Sequence, residues 1–266
     1  MRVGISNDAR PQATTLLIAA AISIGRWFIS WFVPFTQYLD YPFRIFVTFI
    51  HEGGHAIAAL LTGNSVQSLS VAMDGSGETY TSNGRLWAQI FVSSAGYLGS
   101  MTFGALLLVL IRRSIAARVV LIGSAAIVLA LTLIFGLFKP IITWNSLSGI
   151  PFTLFAGVLL SAGLVALAKY ASPRVASFFV SFLAVQCVLN ALLDLKTVFF
   201  LSSPFAPSVQ TDAMNMANAT HIPAIFWTII WIAIAFGILW FAMRLYIVSR
   251  DSAVQPDLPF EDSPAV

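Results

Sequence analysis

Long apolar stretches separated by short polar breaks make up most of the chain. A helix of about 20 residues crosses the roughly 30 Å hydrocarbon core of a bilayer, and the chain contains successive runs of that length. These runs cover residues 14–35, 42–61, 86–111, 119–138, 150–168, 175–200 and 222–247. The pattern predicts an all-α membrane protein, a polytopic bundle of about six or seven transmembrane helices.

The first of these runs differs from the others because it carries a charge near its centre. On insertion scales, an arginine such as Arg26 costs about 2.5 to 3.5 kcal/mol in the middle of a bilayer. We therefore expect this segment to be tilted, to turn Arg26 toward the bundle, or to be re-entrant. A cleavable signal peptide is the competing interpretation, but the run is too long and no obvious small-residue cleavage site follows it. We expect it to be retained.

Two regions lack a membrane-like pattern. In residues 63–85, Leu69, Val71 and Met73 alternate with polar residues and are followed by Asp74-Gly75, which predicts a short β-hairpin directly after the second helix. Residues 251–266 are rich in proline and acidic residues and are predicted to be disordered. The chain thus divides into one transmembrane domain, residues 1–250 with the hairpin insert, and a tail.

The composition supports a membrane protein and argues against a nucleic-acid partner. Hydrophobic residues make up 58% of the 266 residues and charged residues only 9%, compared with about one quarter charged in a typical soluble domain. The net charge is +3, but the basic residues lie mainly between the apolar runs, where they orient helices in the lipid bilayer. A single cysteine, Cys187, excludes an internal disulfide and a cysteine-based metal cluster.

The basic residues also predict an orientation. Cytoplasmic loops of membrane proteins carry an excess of lysine and arginine. One arrangement of the seven runs places most of the basic residues on the cytoplasmic side: Arg44, Arg112, Arg113, Arg118, Lys169, Arg174, Arg244 and Arg250. It predicts an external N-terminus and a cytoplasmic C-terminus. Arg2 and Arg10 oppose this; if the first run does not cross, only the N-terminus changes side.

The second run contains the chain's clearest chemical motif, His51-Glu52-Gly53-Gly54-His55. Residues four apart share a helix face, so the two imidazoles can converge on one metal ion. Glu52 is then placed to take a proton from a zinc-activated water. Two of the chain's three histidines lie in this motif, and ionisable residues at bilayer depth are expensive, which favours a functional site over accidental burial.

A catalytic zinc site normally has three protein ligands, and the sixth run offers the third. Asn190 and Asp194 lie four apart on one helix face. Asp194 is the predicted ligand, and Asn190 is predicted to donate a hydrogen bond to the developing oxyanion. Alternatively, Asp194 pairs with Lys196 or marks a helix end near the interface.

Other ionisable residues rank below Asp194. Asp74 is explained by its Asp-Gly turn, and Glu78 is a further acidic candidate. Asp212, in Thr-Asp-Ala, is typical of a residue at the start of a helix. His221, next to Ile222-Pro223, is expected to be an interfacial, structural histidine.

These features resemble the site-2 protease family of intramembrane zinc metallopeptidases, and especially its compact bacterial B-like branch. The likeness covers roughly residues 42–235. It rests on the HEGGHAIAALLTG stretch, the Asp-Gly-Ser-Gly turn, Ser-Ala-Gly-Tyr-Leu-Gly-Ser around Gly96, Asn190 with Asp194, and Thr-Asp-Ala at Asp212. Better-studied members have Leu-Asp-Gly where this chain has Leu193-Asp194-Leu195.

The resemblance implies specific roles and an activity. His51, His55 and Asp194 would hold Zn²⁺ and Glu52 would be the general base. The implied reaction is hydrolysis of peptide bonds in membrane-embedded protein substrates, and the implied location is a plasma membrane; the oligomeric state stays open. Because a helical substrate must be unwound before water can attack, we expect the strand edge at Leu69, Val71 and Met73 to bind it as an added strand.

Two other functions remain possible from the residues alone. A transporter or other metal-binding membrane protein also uses intramembrane histidine and aspartate, although two related halves with interrupted helices are not evident. A protease-like scaffold without catalysis would have a degraded His-Glu-x-x-His motif, and here the motif is intact.

Overall fold

The computed structural model describes residues 10–30, 32–82, 84–112, 117–203 and 209–247. Within these ranges the chain is a bundle of helices with one hairpin after the second helix, which confirms the predicted fold class. The elements are α1 (Arg10–Ile29), α2 (Tyr41–Leu61), β1 (Val66–Val71), β2 (Gly77–Thr81), α3 (Leu86–Arg112), α4 (Ala117–Leu133), α5 (Lys139–Thr143), α6 (Ile150–Tyr170), α7 (Pro173–Leu201), α8 (Asp212–Thr220) and α9 (Ala224–Ile247). The tail predicted at 251–266 lies outside the described residues.

Five segments of the described chain are long and apolar enough to cross a membrane. They are Leu86–Ile111, Ala117–Thr143, Leu147–Tyr170, Pro173–Leu201 and Ala224–Tyr246, and they match the last five predicted spans. The second predicted span corresponds to α2, which has 21 residues but carries Arg44 and the His-Glu-x-x-His motif. Those polar residues make α2 less apolar than the five spans.

The first predicted span is shorter than expected. Helix α1 ends at Ile29, and a 3-10 turn occupies Pro34–Leu39 before α2, so the prediction of one continuous segment to residue 35 is wrong. Arg26 in the last turn of α1 forms an ion pair with Asp40, the residue that precedes α2. Because the pair neutralises the charge within the protein, the chain can turn here. Of the three alternatives given for the first run, the structure shows the one in which Arg26 turns toward the bundle.

Helix α3 lies at the centre of the bundle and packs against α2, α7, α8 and α9. Its contact with α2 is unusually close, because a Cβ on Gly54 would lie 2.2 Å from the backbone oxygen of Ala95. Small residues let helix backbones approach in this way. The close crossing brings α3 directly against the His-Glu-x-x-His turn of α2.

The hairpin is antiparallel and its turn has the predicted chemistry. Gly75 has a φ of +85°, which favours glycine, and the Asp74 carboxylate accepts hydrogen bonds from the backbone and side chain of Ser76. The pairing includes Leu69 with Thr79 and Val71 with Gly77. This confirms the Asp-Gly hairpin expected from the sequence.

The hairpin folds back along α2. The Tyr41 hydroxyl donates to the Met73 carbonyl at 2.6 Å, and the Thr48 hydroxyl donates to the Gly75 carbonyl at 2.8 Å. Further along, the Thr79 hydroxyl lies 3.2 Å from the Glu52 carbonyl oxygen. Strand β2 is therefore held beside the turn of α2 that carries the motif.

Candidate functional site

Helix α2 presents a polar face to a cleft of about 1140 Å³. Arg44, Thr48, His51, Glu52 and His55 all line this cleft, as expected for residues separated by three or four positions on one helix. Strand β2 and helices α3, α7 and α8 form the other walls. Most of the lining residues are polar, so the cleft can hold the water that a hydrolytic reaction consumes.

The two motif histidines converge as predicted. Their Nε2 atoms lie 3.1 Å apart. The Nδ1 atom of His55 lies 2.6 Å from the Val92 carbonyl oxygen on α3, and a carbonyl can only accept, so Nδ1 carries the proton. The Nε2 lone pair of His55 is then free to bind a metal, which is the usual arrangement of a ligating histidine.

A third candidate ligand comes from α8. One carboxylate oxygen of Asp212, Oδ2, lies 3.4 Å from the Nε2 atoms of both His51 and His55. Asp212 is the first residue of α8, and the Thr211 side chain caps that helix by accepting from the Met214 backbone N–H. The prediction that Asp212 starts a helix is confirmed, and the same residue faces the histidine pair.

These three side chains fit a metal ion. In the described part of the chain, His51, His55 and Asp212 are the one group of His, Cys, Asp and Glu whose ligand atoms all lie within 4.8 Å of one another. A tetrahedral zinc ion with bonds of about 2.0 to 2.1 Å places its ligand atoms about 3.3 Å apart. The separations of 3.1 and 3.4 Å agree with that spacing.

The structure brings Asp212, and not the predicted Asp194, close to the histidine pair. Asp194 lines the same cleft but does not belong to the ligand group, whereas Asp212 does. Within the described ranges, Asp194 also forms no ion pair with Lys196. The sequence favoured Asp194 because it shares a helix face with Asn190, whereas Asp212 reaches the histidines only through the packing of α8 in the bundle.

Asn190 is not placed as an oxyanion donor. Its Nδ2 atom donates to the backbone oxygen of Gln186 at 2.8 Å and lies 3.2 Å from the Gln186 Oε1 atom. An amide nitrogen has two protons, and both are used by the preceding turn of α7. Asn190 lines the cleft, but its amide protons bond to Gln186, so the donor role stays a prediction that needs a change in these contacts.

The Glu52 carboxylate is buried next to strand β2. Its side chain is only 5% exposed, and the Thr79 hydroxyl donates to Glu52 Oε2 at 2.7 Å. A Cβ on Gly77 would lie 2.6 Å from both Cγ and Oε1 of Glu52. The base candidate is thus enclosed by a strand rather than by other helices alone.

The three residues predicted to bind substrate, Leu69, Val71 and Met73, do not line the cleft. Leu69 and Val71 of β1 are each 1% exposed, and the outer side of β1 is covered because the Val71 N–H donates to the Thr153 hydroxyl at 2.9 Å. Met73 is exposed but does not line the cleft. All five residues of β2 line it instead, and within the described residues β2 pairs only with β1, so the free edge belongs to β2.

The register shows which backbone groups face that edge. Ala72 N–H donates to the Ser76 carbonyl, which makes these two residues a hydrogen-bonded pair. Because such pairs alternate along an antiparallel ladder, Gly77 and Thr79 belong to the other kind of pair. Their backbone N–H and C=O groups point away from β1.

Two residues of α3 that received no role from the sequence also border the ligands. A Cβ on Gly96 would lie 2.3 Å from Nε2 of His51 and 2.5 Å from Nε2 of His55. The ring of Tyr97 meets the ring of His51 edge-on, with centroids 4.7 Å apart. Both lie in the Ser-Ala-Gly-Tyr-Leu-Gly-Ser stretch. Its small residues were the one signal in the sequence that another helix approaches closely here.

The remaining candidates have structural explanations. Hydrogen bonds from Ser76 hold the pKa of the Asp74 carboxyl below its usual value. Glu78 on β2 interacts with the Tyr80 hydroxyl and thereby raises the pKa of that phenol. His221 is the C-cap of α8, with φ of +60°, and it lies outside the ligand group.

Taken together, the helical bundle and the polar cleft define a multi-pass membrane protein with a potential metal site on its second helix. The chain belongs to the Peptidase M50B-like family, whose model matches residues 15–242. This is the family of the site-2 proteases, so the resemblance found in the sequence is confirmed. Comparisons with curated proteins and with solved structures gave no match.

Proposed function

We propose that the protein is an intramembrane zinc endopeptidase that hydrolyses peptide bonds of membrane-embedded protein substrates. The observation that carries the proposal is the convergence of His51, His55 and Asp212 beside Glu52 in one polar cleft. Membership of a membrane peptidase family supports it independently.

The proposed zinc ligands are His51, His55 and Asp212. Two imidazole nitrogens and one carboxylate are a common ligand set for a catalytic zinc, which keeps a further position open for water or substrate. When bound there, zinc would act as a Lewis acid on the scissile carbonyl and make water a competent nucleophile near neutral pH. This assignment replaces Asp194 with Asp212.

Glu52 is the proposed general base. It lies between His51 and His55 on α2 and lines the same cleft as the three proposed ligands. A carboxylate in this position can accept the proton of the attacking water and pass it to the leaving amine. Asp194 of α7, which also lines the cleft, is proposed to contact the substrate.

The free edge of β2 is the proposed substrate-binding strand. A transmembrane helix protects its own peptide bonds by internal hydrogen bonds, so a segment must be unwound before cleavage. An extended segment can replace those bonds by pairing with the outward backbone groups of Gly77 and Thr79. Since β2 lies against Glu52, the paired segment would pass close to the base.

We also propose a plasma-membrane location with a cytoplasmic C-terminus, supported by the distribution of basic residues between the spans. Residues 1–250 are proposed to form a single membrane domain that carries the hairpin.

Zinc content and proteolysis of the purified full-length protein test the proposal. We expect about one zinc per chain in the wild type, as for a mononuclear catalytic site. His51→Ala and Asp212→Asn should lose zinc, whereas Asp194→Asn should keep it. Glu52→Gln should keep zinc and lose turnover of a single-span peptide co-reconstituted in liposomes, because it removes the base and spares the ligands.

Two results would contradict the proposal. A wild-type protein without zinc would exclude the metallopeptidase, and a Glu52→Gln protein with wild-type turnover would exclude the base. Zinc retained in Asp212→Asn but lost in Asp194→Asn would restore the ligand set expected from the sequence.

A further inference from the structure

The Glu52 carboxylate has a single hydrogen-bond donor within the described part of the chain. That donor is the Thr79 hydroxyl, 2.7 Å from Glu52 Oε2 and 3.2 Å from the Glu52 backbone oxygen. A hydroxyl has one proton to donate, and the shorter, charge-assisted contact to the carboxylate is the stronger of the two. Thr79 is therefore placed to fix the orientation of the base.

The strand can reach the carboxylate because Gly77, two positions earlier on the same face of β2, has no side chain. A Cβ at Gly77 would lie 2.6 Å from Glu52 and 2.7 Å from the Thr48 methyl group, well inside van der Waals contact. The absence of this atom lets β2 lie directly on the Glu52 side chain. Gly77 supplies the space and Thr79 supplies the hydrogen bond.

Thr79 also belongs to the free edge. Its side chain contacts Glu52, while its backbone N–H and C=O point away from β1 toward the cleft, as the alternation of the ladder requires. One residue thus touches the base with its side chain and faces an added strand with its backbone. Displacement of β2 would move the base as well.

We propose that Thr79 is a positioning residue for the general base: its hydroxyl holds the Glu52 carboxylate in the orientation for proton transfer, so the strand that binds substrate also aligns the base. The inference rests on the proposed function of Glu52. Proton transfer requires the oxygen of the base within about 2.6 to 3.2 Å of the heavy atom that carries the proton. An error of about 1 Å in such a site can cost about 100-fold in rate.

Thr79→Val tests this role, because valine keeps the branched shape and the backbone of the strand but lacks the hydroxyl. With the single-span peptide co-reconstituted in liposomes as the substrate, we expect kcat to fall roughly 10- to 100-fold, the range typical of outer-shell partners. KM and zinc content should stay at wild-type values. Thr79→Ser, which retains the hydroxyl, should recover most of the lost kcat.

Thr143→Val is the matched control. The Thr143 hydroxyl donates to the Gln67 carbonyl at 2.9 Å, so this variant also removes a hydroxyl that anchors the hairpin, but on β1 and away from Glu52. We expect its kcat to stay within about twofold of wild type, since a single exposed neutral hydrogen bond contributes little. Equal losses of kcat in both variants would reduce Thr79 to a structural role.

Glu52→Gln in the same assay separates this inference from the proposed function. If Glu52→Gln abolishes turnover and Thr79→Val keeps the wild-type kcat, the role of Glu52 as general base is supported and the positioning role of Thr79 is overturned. If Thr79→Ser is as slow as Thr79→Val, the hydroxyl is not responsible and the proposal also fails.

Discussion

At the level of single residues, the space around the ligand atoms depends on a glycine of the facing helix. Gly96 lies where a side chain would overlap the Nε2 atoms of both histidines. Those are the atoms that would bind the proposed zinc ion, so the absence of a side chain here keeps them accessible to it.

Gly96→Ala is expected to abolish zinc binding in the folded protein. The added methyl would occupy the position next to His51 and His55 that a metal and its open coordination site require. Zinc content of the purified variant, with helicity by circular dichroism as a check on folding, measures the effect. Gly99→Ala on the same helix is the control, because its Cβ would meet only the Gly54 Cα at 3.4 Å; normal zinc in Gly96→Ala would contradict the assignment.

At the level of secondary-structure elements, the hairpin has two unequal edges. The outer side of β1 is covered by α5 and α6, where Thr143 and Thr153 bond to its backbone. Strand β2 has β1 on one side and the cleft on the other. An unpaired strand edge attracts another strand, and the geometry restricts that pairing to the side that faces the ligand group.

Thr81→Pro is expected to impair proteolysis without loss of zinc. Thr81 pairs with Val66 and Ser82 N–H donates to the Ser65 carbonyl, so the Thr81 N–H points to the free edge. Proline removes that N–H, and proline is tolerated on edge strands. Hydrolysis of the single-span peptide in liposomes should show a rise in KM of about 5-fold or more, corresponding to one lost hydrogen bond of about 1 kcal/mol.

Thr81→Val provides the comparison for the proline variant, because it also removes the hydroxyl but keeps the N–H. The KM of Thr81→Val should rise clearly less than the KM of Thr81→Pro. Equal KM values for the two variants would argue that the β2 edge does not pair with substrate.

At the level of the whole molecule, the polar site is surrounded by apolar helices. The described bundle encloses the polar face of α2 between α3, α7 and the hairpin, while five other segments are apolar over a membrane-spanning length. Buried polar groups in such a bundle need partners from the protein itself. Arg26 with Asp40, and the histidines with Asp212, have them.

The proposed orientation of the molecule predicts which loops react from each side of the membrane. Cys187 is the only cysteine and is fully buried, so Cys187→Ser gives a background for single-cysteine labelling. A cysteine at Ala171, between α6 and α7, should react with a membrane-impermeant maleimide only from the cytoplasmic side. One at Ile222, before α9, should react only from outside, and the reverse pattern would overturn the orientation.

The sequence alone determined the bundle, the hairpin and the pair of histidines. Five spans followed from length and apolar composition, and the hairpin followed from alternation and an Asp-Gly turn. His51 and His55 converge because residues four apart on a helix always share a face. All three are local properties, so neighbouring residues are sufficient to encode them.

Only the tertiary structure decided the third ligand candidate, the free strand edge and the partner of the base. Asp212 lies 157 positions after His55 and reaches it through the packing of α8 against α3. Which strand has the free edge depends on Thr153 of α6, which bonds to the backbone of β1 and leaves the outer edge of β2 uncovered. Such contacts arise between elements that are distant in the chain. A local pattern of apolar and polar residues therefore does not specify which of two carboxylates, or which of two strands, will lie at the site.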